Sequence, residues 1–199
     1  MNCVSHIQQG LWVRDDTRQL EYTQLDPWVE LAQILEQGCF DALFLADVVG
    51  VYDTYKGGPE TSITQGMQIP ANDPALLIPA MAYATENLGF AFTSSVLQAH
   101  PFSFARQMST LDHLTRGRIA WNIVTTYLPN AGFNFGLGGL PPHDERYDLA
   151  DEYLDVTYKL WEGSWEDDAV RGDTEHGIYA DPAKVHPINH VGQHYDVAG

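Results

Sequence analysis

The stretch LDHLTRGRIAWNIVTT, residues 111–126, holds the decision about the fold. Its first part continues a pattern begun at residue 101, in which Phe104, Met108 and Leu111 recur at helical spacing and the pattern stops at Gly117. Directly after the stop comes IAWNIVT, residues 119–125, a short and mostly apolar run of the kind that forms a strand covered on both faces. A helix that ends on glycine and passes straight into a buried strand is one turn of an α/β repeat. The question is whether the same turn recurs on either side.

It does. Upstream, DALFLADVV (41–49) and LGFAFTSSV (88–96) have the same apolar character, and residues 1–6 supply one more candidate strand. Between them lie helical patterns at 27–38 and 73–87. The first has Asp26 as candidate N-cap, Pro27 in the first helical position, Trp28, Leu31 and Leu35 on one face, and Gly38 at its end. The second opens with Asp73 as N-cap and Pro74. Downstream, Asp144 to Glu162 predicts the longest helix, with Leu149, Tyr153, Leu160 and Trp161 as its buried stripe and Asp144 and Glu145 at the end where the dipole favours negative charge. Strand and helix thus alternate four times, which requires a parallel sheet with right-handed crossovers, doubly wound or closed into a barrel.

Two stretches interrupt the alternation. Residues 50–72 and 128–143 are rich in Gly, Pro and Asn and follow the second and fourth expected strands, so they fall at the carboxyl ends, where α/β folds build their sites. The tail 163–199 is polar and is expected to be an extension without further strands of its own; the whole chain is expected to be one domain.

Composition narrows the function. With 199 residues, 44% of them hydrophobic, the chain can bury a core. A formal charge of −17, from 27 acidic and 10 basic residues, repels nucleic-acid phosphates and anionic lipid. Cys3 and Cys39 are too few for a disulfide framework and are expected as thiols. There is no bilayer-length apolar run and no signal-peptide pattern, so the expectation is a soluble, cytoplasmic protein. Met1 opens directly into an apolar stretch, as a methionine internal to a longer parent sequence would.

The 111–126 stretch, with its WN-I-V-T ending, also resembles the helix-to-strand signature of the bacterial-luciferase-like flavin-dependent monooxygenases, in the branch that holds nitrilotriacetate, dibenzothiophene-sulfone and long-chain alkane monooxygenases. HDERYDLADEYLDVTYKLWEGSWEDDAV (143–170) and YADPAKVHPINHVGQHYDVAG (179–199) resemble the next blocks of the same proteins, in the same order. The resemblance implies a TIM-barrel-like α/β fold of which this chain supplies about four of eight strand–helix units, members being about twice as long. It implies a two-component monooxygenase: a separate flavin reductase delivers reduced FMN, O2 is consumed, and one oxygen atom enters a small organic substrate. A homo-oligomer is expected of the full-length form. A truncated, inactive flavin-binding fragment is the alternative.

Site residues follow from the resemblance position by position. Asp47, Thr93 and Thr126, at or near the ends of three expected strands, match flavin-contacting positions, although strand-end Asp and Thr in α/β proteins generally also cap loops and helices. His143 and Tyr147 match positions for the FMN phosphate, at a helix N-terminus whose free N–H groups suit an anion. Cys3, His6, Tyr52 and Gln68 match substrate-pocket positions. Tyr127 stands where the alkane branch has a histidine; it can donate a hydrogen bond but does not titrate near neutrality, which sets aside a general-base role there.

Other motifs carry less. His190 and His194 have an i, i+4 spacing, but Gly192 and the neighbouring Pro and Asn argue against the helix a metal site would need, so no metal is expected. The glycines of FNFGLGG (133–139) lack dinucleotide spacing and are expected as a flexible loop. No GxSxG elbow or phosphate-binding GK[ST] loop occurs.

Overall fold

A computed structural model describes residues 10–199; the expected strand at 1–6, with Cys3 and His6, lies outside the described residues. The structure divides into two units, one running to Gln98 and resuming at Leu111–Pro141, the other formed by Ala99–Thr110 and Pro142–Gly199.

The first unit contains β1 (Ala42–Leu45), β2 (Gly89–Ser95) and β3 (Ile119–Val124), hydrogen-bonded in the order β1-β2-β3 with every pair parallel. Leu45 pairs with Phe92, and Thr93 with Asn122. Helices α1 (Asp26–Gln37) and α3 (Pro74–Tyr83) supply the cover for one face: Trp28 and Ala32 from α1 and Ala75, Ile78 and Met81 from α3 are buried, as are Leu45, Phe90 and Phe92. The other face differs from expectation. Ala42, Phe44, Ala120 and Asn122 are exposed, Phe44 by 52%, so strands expected to be covered on both faces are covered on one. The apolar run reports what a strand requires, not which cover the described residues provide.

Local chemistry explains the helix ends. Asp73 accepts from the Ala75 amide at 3.0 Å and caps α3 as expected, whereas Asp26 is itself the first residue of α1, behind a helical Leu25 with no side-chain cap. α1 stops at Gly38, whose N–H donates to Ile34 O. α3 stops at Tyr83, earlier than the expected 87, because Glu36 from the end of α1 takes the next amides: its carboxylate accepts from Glu86, Asn87 and Leu88 N–H, with Asn87 at 2.6 Å. These amides, Asn87 first, hold the Glu36 carboxyl below the ordinary range. Arg118, just before β3, locks the same corner with five donated bonds, to Thr115 O, Thr85 Oγ1, Leu88 O, Ala82 O and Thr85 O.

The two long loops contain short helices, α2 (Glu60–Gln65) and α5 (Pro129–Asn134). In the glycine-rich stretch Gly136, Gly138 and Gly139 have positive φ, and Gly132 packs so closely on the Gly139–Leu140 backbone that a Cβ would lie 2.6 Å from Leu140 N. That stretch is a packed turn and not the loose loop expected from its composition.

α4 (Pro101–Thr115) begins in the second unit and ends in the first. The second unit is built on α6 (His143–Tyr158), continued by a π-helical turn over Lys159–Gly163; Tyr153 and Val156 are fully buried, with Phe104 5.8 Å from the Tyr153 ring. Its tail corrects the reading of a strandless extension. β4 (Val170–Asp173) pairs antiparallel with β5 (Ile178–Ala180), and β6 (His190–Val191) with β7 (Asp196–Val197). Strands of two to four mostly exposed residues leave no alternation to read; the first hairpin is closed instead by Asp173, which accepts from the Glu175 and His176 amides.

Glu152 of α6 binds the second hairpin. Its carboxylate accepts from the amides of Gln193, His194 and Tyr195 and pairs with the buried His190 at 3.2 Å. No helix of the described residues is long and apolar enough to cross a membrane.

Candidate active site

Asp47, Thr93 and Thr126, from three separate strand ends, line one cavity of about 70 Å³ in the first unit. Ser95 and Gln98 add two further polar side chains, and the apolar part of the wall comes from Val48, Val49, Val124, Leu128 and Ala131, with Tyr127 beside them. A parallel sheet produces this convergence by itself, because all three chains leave the ladder at the same edge. Thr93 is buried and accepts from Asn122 Nδ2 at 3.0 Å. Thr126 donates to Ser95 Oγ at 2.6 Å and has φ of 66°, a left-handed conformation that a β-branched residue adopts only when its surroundings hold it there.

Above this floor the loops after β1 and β3 are joined. Asn130 donates to Val51 O at 2.6 Å and to Asp53 Oδ2 at 3.1 Å, and accepts from Val51 N–H at 3.1 Å. The Tyr52 and Tyr127 hydroxyls are hydrogen-bonded to each other, and Ser62 donates to Tyr52 O at 2.6 Å. Burial, then the hydrogen bond to Tyr52, pushes the Tyr127 phenol well above its ordinary range, so it stays protonated throughout the neutral region. Gln68, with φ of 56°, follows α2 in the same long loop and is not among the residues lining the cavity.

His143 and Tyr147 lie in the second unit, in the first turns of α6, with ring centroids 4.9 Å apart. No side chain caps that helix, and the exposed His143 contacts Asp144 Oδ1 at 2.8 Å. His190 and His194 are parted: His190 is buried against Glu152, whereas His194 offers its backbone N–H to the same carboxylate. Among the described residues no three His, Cys, Asp or Glu side chains are grouped to hold a metal ion. A wider groove of about 420 Å³ runs along α1, lined by Leu11, Tyr22, Trp28 and Leu31; it shares no residue with the strand-end cavity, and of its charged groups Arg18 pairs with Glu30 and Asp16 with Arg14.

The family model described as luciferase-like monooxygenase matches residues 4–197. The chain belongs to that family. It is 60% identical over 199 residues to a long-chain alkane monooxygenase of Geobacillus thermodenitrificans (strain NG80-2), covering all of this chain and 45% of that protein. A crystal structure of long-chain alkane monooxygenase superposes with a TM-score of 0.97 at 60% identity, covering 100% of this chain and 46% of the other. The dimethyl-sulfide monooxygenase of Hyphomicrobium sulfonivorans is 51% identical over 199 residues, covering all of this chain and 42% of that protein. A riboflavin lyase solved with modified FMN and riboflavin gives a TM-score of 0.87 at 43% identity, over 94% of this chain and 42% of that one. The chain thus spans a little under half the length of the relatives it matches, and its three described parallel strands belong to a luciferase-like, TIM-barrel-type α/β fold.

Sequence reasoning missed the residues that hold this site together: Ser95, Gln98, Asn122 and Asn130. The only signal for Ser95 and Gln98 was their place, at and just after the end of β2. Asn130 gave none, since its partners lie in a loop 79 residues earlier.

Proposed function

We propose that this chain contributes the flavin-holding strand ends of a two-component, FMN-dependent monooxygenase acting on a small organic substrate such as an alkane, sulfide, sulfone or aminopolycarboxylate. The observation that carries the reading is the meeting of Asp47, Thr93 and Thr126 at one cavity on three strand ends. The donor set fits the group: hydroxyls, a carboxamide and a carboxylate together with valines and a leucine suit a flat ring system with a polar, hydrogen-bonding edge. At about 70 Å³ the cavity is far below the roughly 300–1,000 Å³ of a whole ligand pocket, so it accommodates an edge of the ring. When bound, reduced FMN supplies the electrons that allow O2 to give one oxygen atom to substrate and the other to water.

The chain's own residues do the rest. Asp47, Thr93 and Thr126 orient the ring edge, while Val48, Val49, Val124 and Leu128 keep water from that side. His143 and Tyr147 are our assignment for the phosphate, at an uncapped helix start, although Asp144 and Glu145 in the same turn oppose an anion there. Cys3, His6, Tyr52, Gln68 and Tyr127 are assigned to the substrate side, Tyr127 as a neutral hydrogen-bond donor. We assign flavin reduction to a separate reductase, in keeping with the two-component reading; the present chain carries no dinucleotide fingerprint of its own.

The exposed sheet face favours a second reading. With Phe44 and Asn122 open to water, the chain by itself binds flavin without coupled oxygen transfer. One experiment separates the readings. The purified protein is titrated with FMN and FAD by flavin fluorescence, then incubated with a generic FMN reductase, NADH, air and either hexadecane or dimethyl sulfide. Preferential FMN binding with alcohol or sulfoxide formation supports the oxygenase. FMN binding with hydrogen peroxide alone supports the second reading, and no preference for FMN over FAD removes both.

A further inference from the structure

We propose that Gln98 is a positioning residue of this site, fixing the Asp47 carboxylate against the end of β2; the inference rests on the flavin reading above. Asp47 lies two residues beyond the Leu45–Phe92 pair that ends the β1–β2 ladder, and Gln98 is one of the groups that meet its carboxylate there. Gln98 is itself firmly placed. Its N–H donates to Ser95 O at 3.0 Å, closing the turn that follows β2.

The orientation of its carboxamide is dictated by its neighbours. Gln98 Oε1 accepts from the Ser95 backbone N–H at 2.8 Å and from Ser94 Oγ at 2.8 Å. A backbone N–H can only donate, so the oxygen must be the atom on that side, and the two alternative placements of the amide are not equivalent here. Nε2, which can only donate, is thereby turned toward the cavity and Asp47 Oδ2, 3.5 Å away at the long end of hydrogen-bonding distance. Ser95 in turn receives Thr126 Oγ1 at 2.6 Å and holds it in its left-handed conformation. A single carboxamide therefore connects the ends of all three strands, Asp47 directly and Thr126 through Ser95. The titratable groups lining this cavity are Asp47 and Tyr127.

The acceptor and donor halves of the amide are separable by substitution. Gln98→Glu keeps an acceptor for the Ser95 N–H and Ser94 but replaces the donor facing Asp47 with a second carboxylate. Gln98→Leu removes both. FMN affinity is measured by fluorescence titration at pH 8 and pH 5, with thermal unfolding followed by circular dichroism to show that each variant is folded. We expect Gln98→Glu to bind FMN at least tenfold more weakly than wild type at pH 8, and to recover most of that loss at pH 5, where repulsion between the two facing carboxylates raises one of them enough to hold a shared proton that donates again. In an Asp47→Asn background the same Gln98→Glu change should cost less than threefold, since the Asn amide can donate to it. A purely structural turn residue would not respond to pH or to the residue at 47. Wild-type affinity for Gln98→Glu at pH 8, or a loss identical at both pH values, overturns the inference while leaving the flavin reading intact. Failure of the wild type to bind FMN overturns both.

Discussion

Replacing Glu152 with Gln should destabilise the second unit at neutral pH and make no difference in strong acid. The Glu152 side chain is only 14% exposed, and burial alone would raise its pKa; His190 and the amides of Tyr195, His194 and Gln193 outweigh that cost and pull it down to about 2. Against an ordinary value of 4.5 this is a depression of about 2.5 units, and at about 1.4 kcal/mol per unit the fold favours the ionised form by roughly 3 kcal/mol. Because the folded value lies below the unfolded one, this contribution is complete above about pH 4.5 and disappears as pH falls through about 2. Gln can accept from one or two of the three amides but brings no charge to them, so Glu152→Gln should lose roughly 2–3 kcal/mol at pH 7. Urea unfolding at pH 7, 5, 3.5 and 2.5 measures the difference, and hydrogen exchange at the amides of residues 193–195 locates it. A variant within about 0.5 kcal/mol of wild type at pH 7, or a gap that does not shrink between pH 5 and 2.5, would refute the argument.

Other perturbations test other joints. Arg118→Lys leaves at least two of the five acceptors around it without their guanidinium partner, because an ammonium has only three donors and no fork; a loss of about 2–3 kcal/mol is expected in thermal or urea unfolding. Gly132→Ala drives a methyl group into the Gly139–Leu140 backbone and should cost about 1–3 kcal/mol by the same measurement, whereas Gly163→Ala, with open space around it, should be nearly neutral. Tyr195 is pushed up to about 12 by burial first and by the Glu152 carboxylate second, so its phenol remains protonated at pH 11. Stability should therefore fall as pH rises from about 10 through 12, and Tyr195→Phe should remove part of that slope; absorbance at 295 nm follows the ionisation directly.

The parts of the fold legible in the sequence are those set by local periodicity and punctuation. The β3 run after Gly117, the Asp73 cap and the buried Tyr153 of α6 follow from residues within a few positions of each other. The hairpin β6–β7 was not legible, because its two-residue strands depend on Glu152, some 40 residues away, and β4–β5 was not, because strands of three and four mostly exposed residues leave no alternation to read. The same division runs through the site. That Asp47, Thr93 and Thr126 meet at one cavity was legible from their place at strand ends, but Gln98 and Asn130 act through partners 51 and 79 residues distant, and an isolated Gln or Asn has no periodic signature.

That separation between Asn130 and Val51 has a kinetic meaning. Joining residues 79 apart gains nothing until β2 and β3 have docked between them, so the Asn130 bonds are absent from the early nucleus and form after the sheet. The strap between the two loops is then expected to assemble after the sheet. Asn130→Ala should accelerate unfolding several-fold while leaving the refolding rate almost unchanged in stopped-flow measurements, and a slowed refolding limb would place the strap in the nucleus instead.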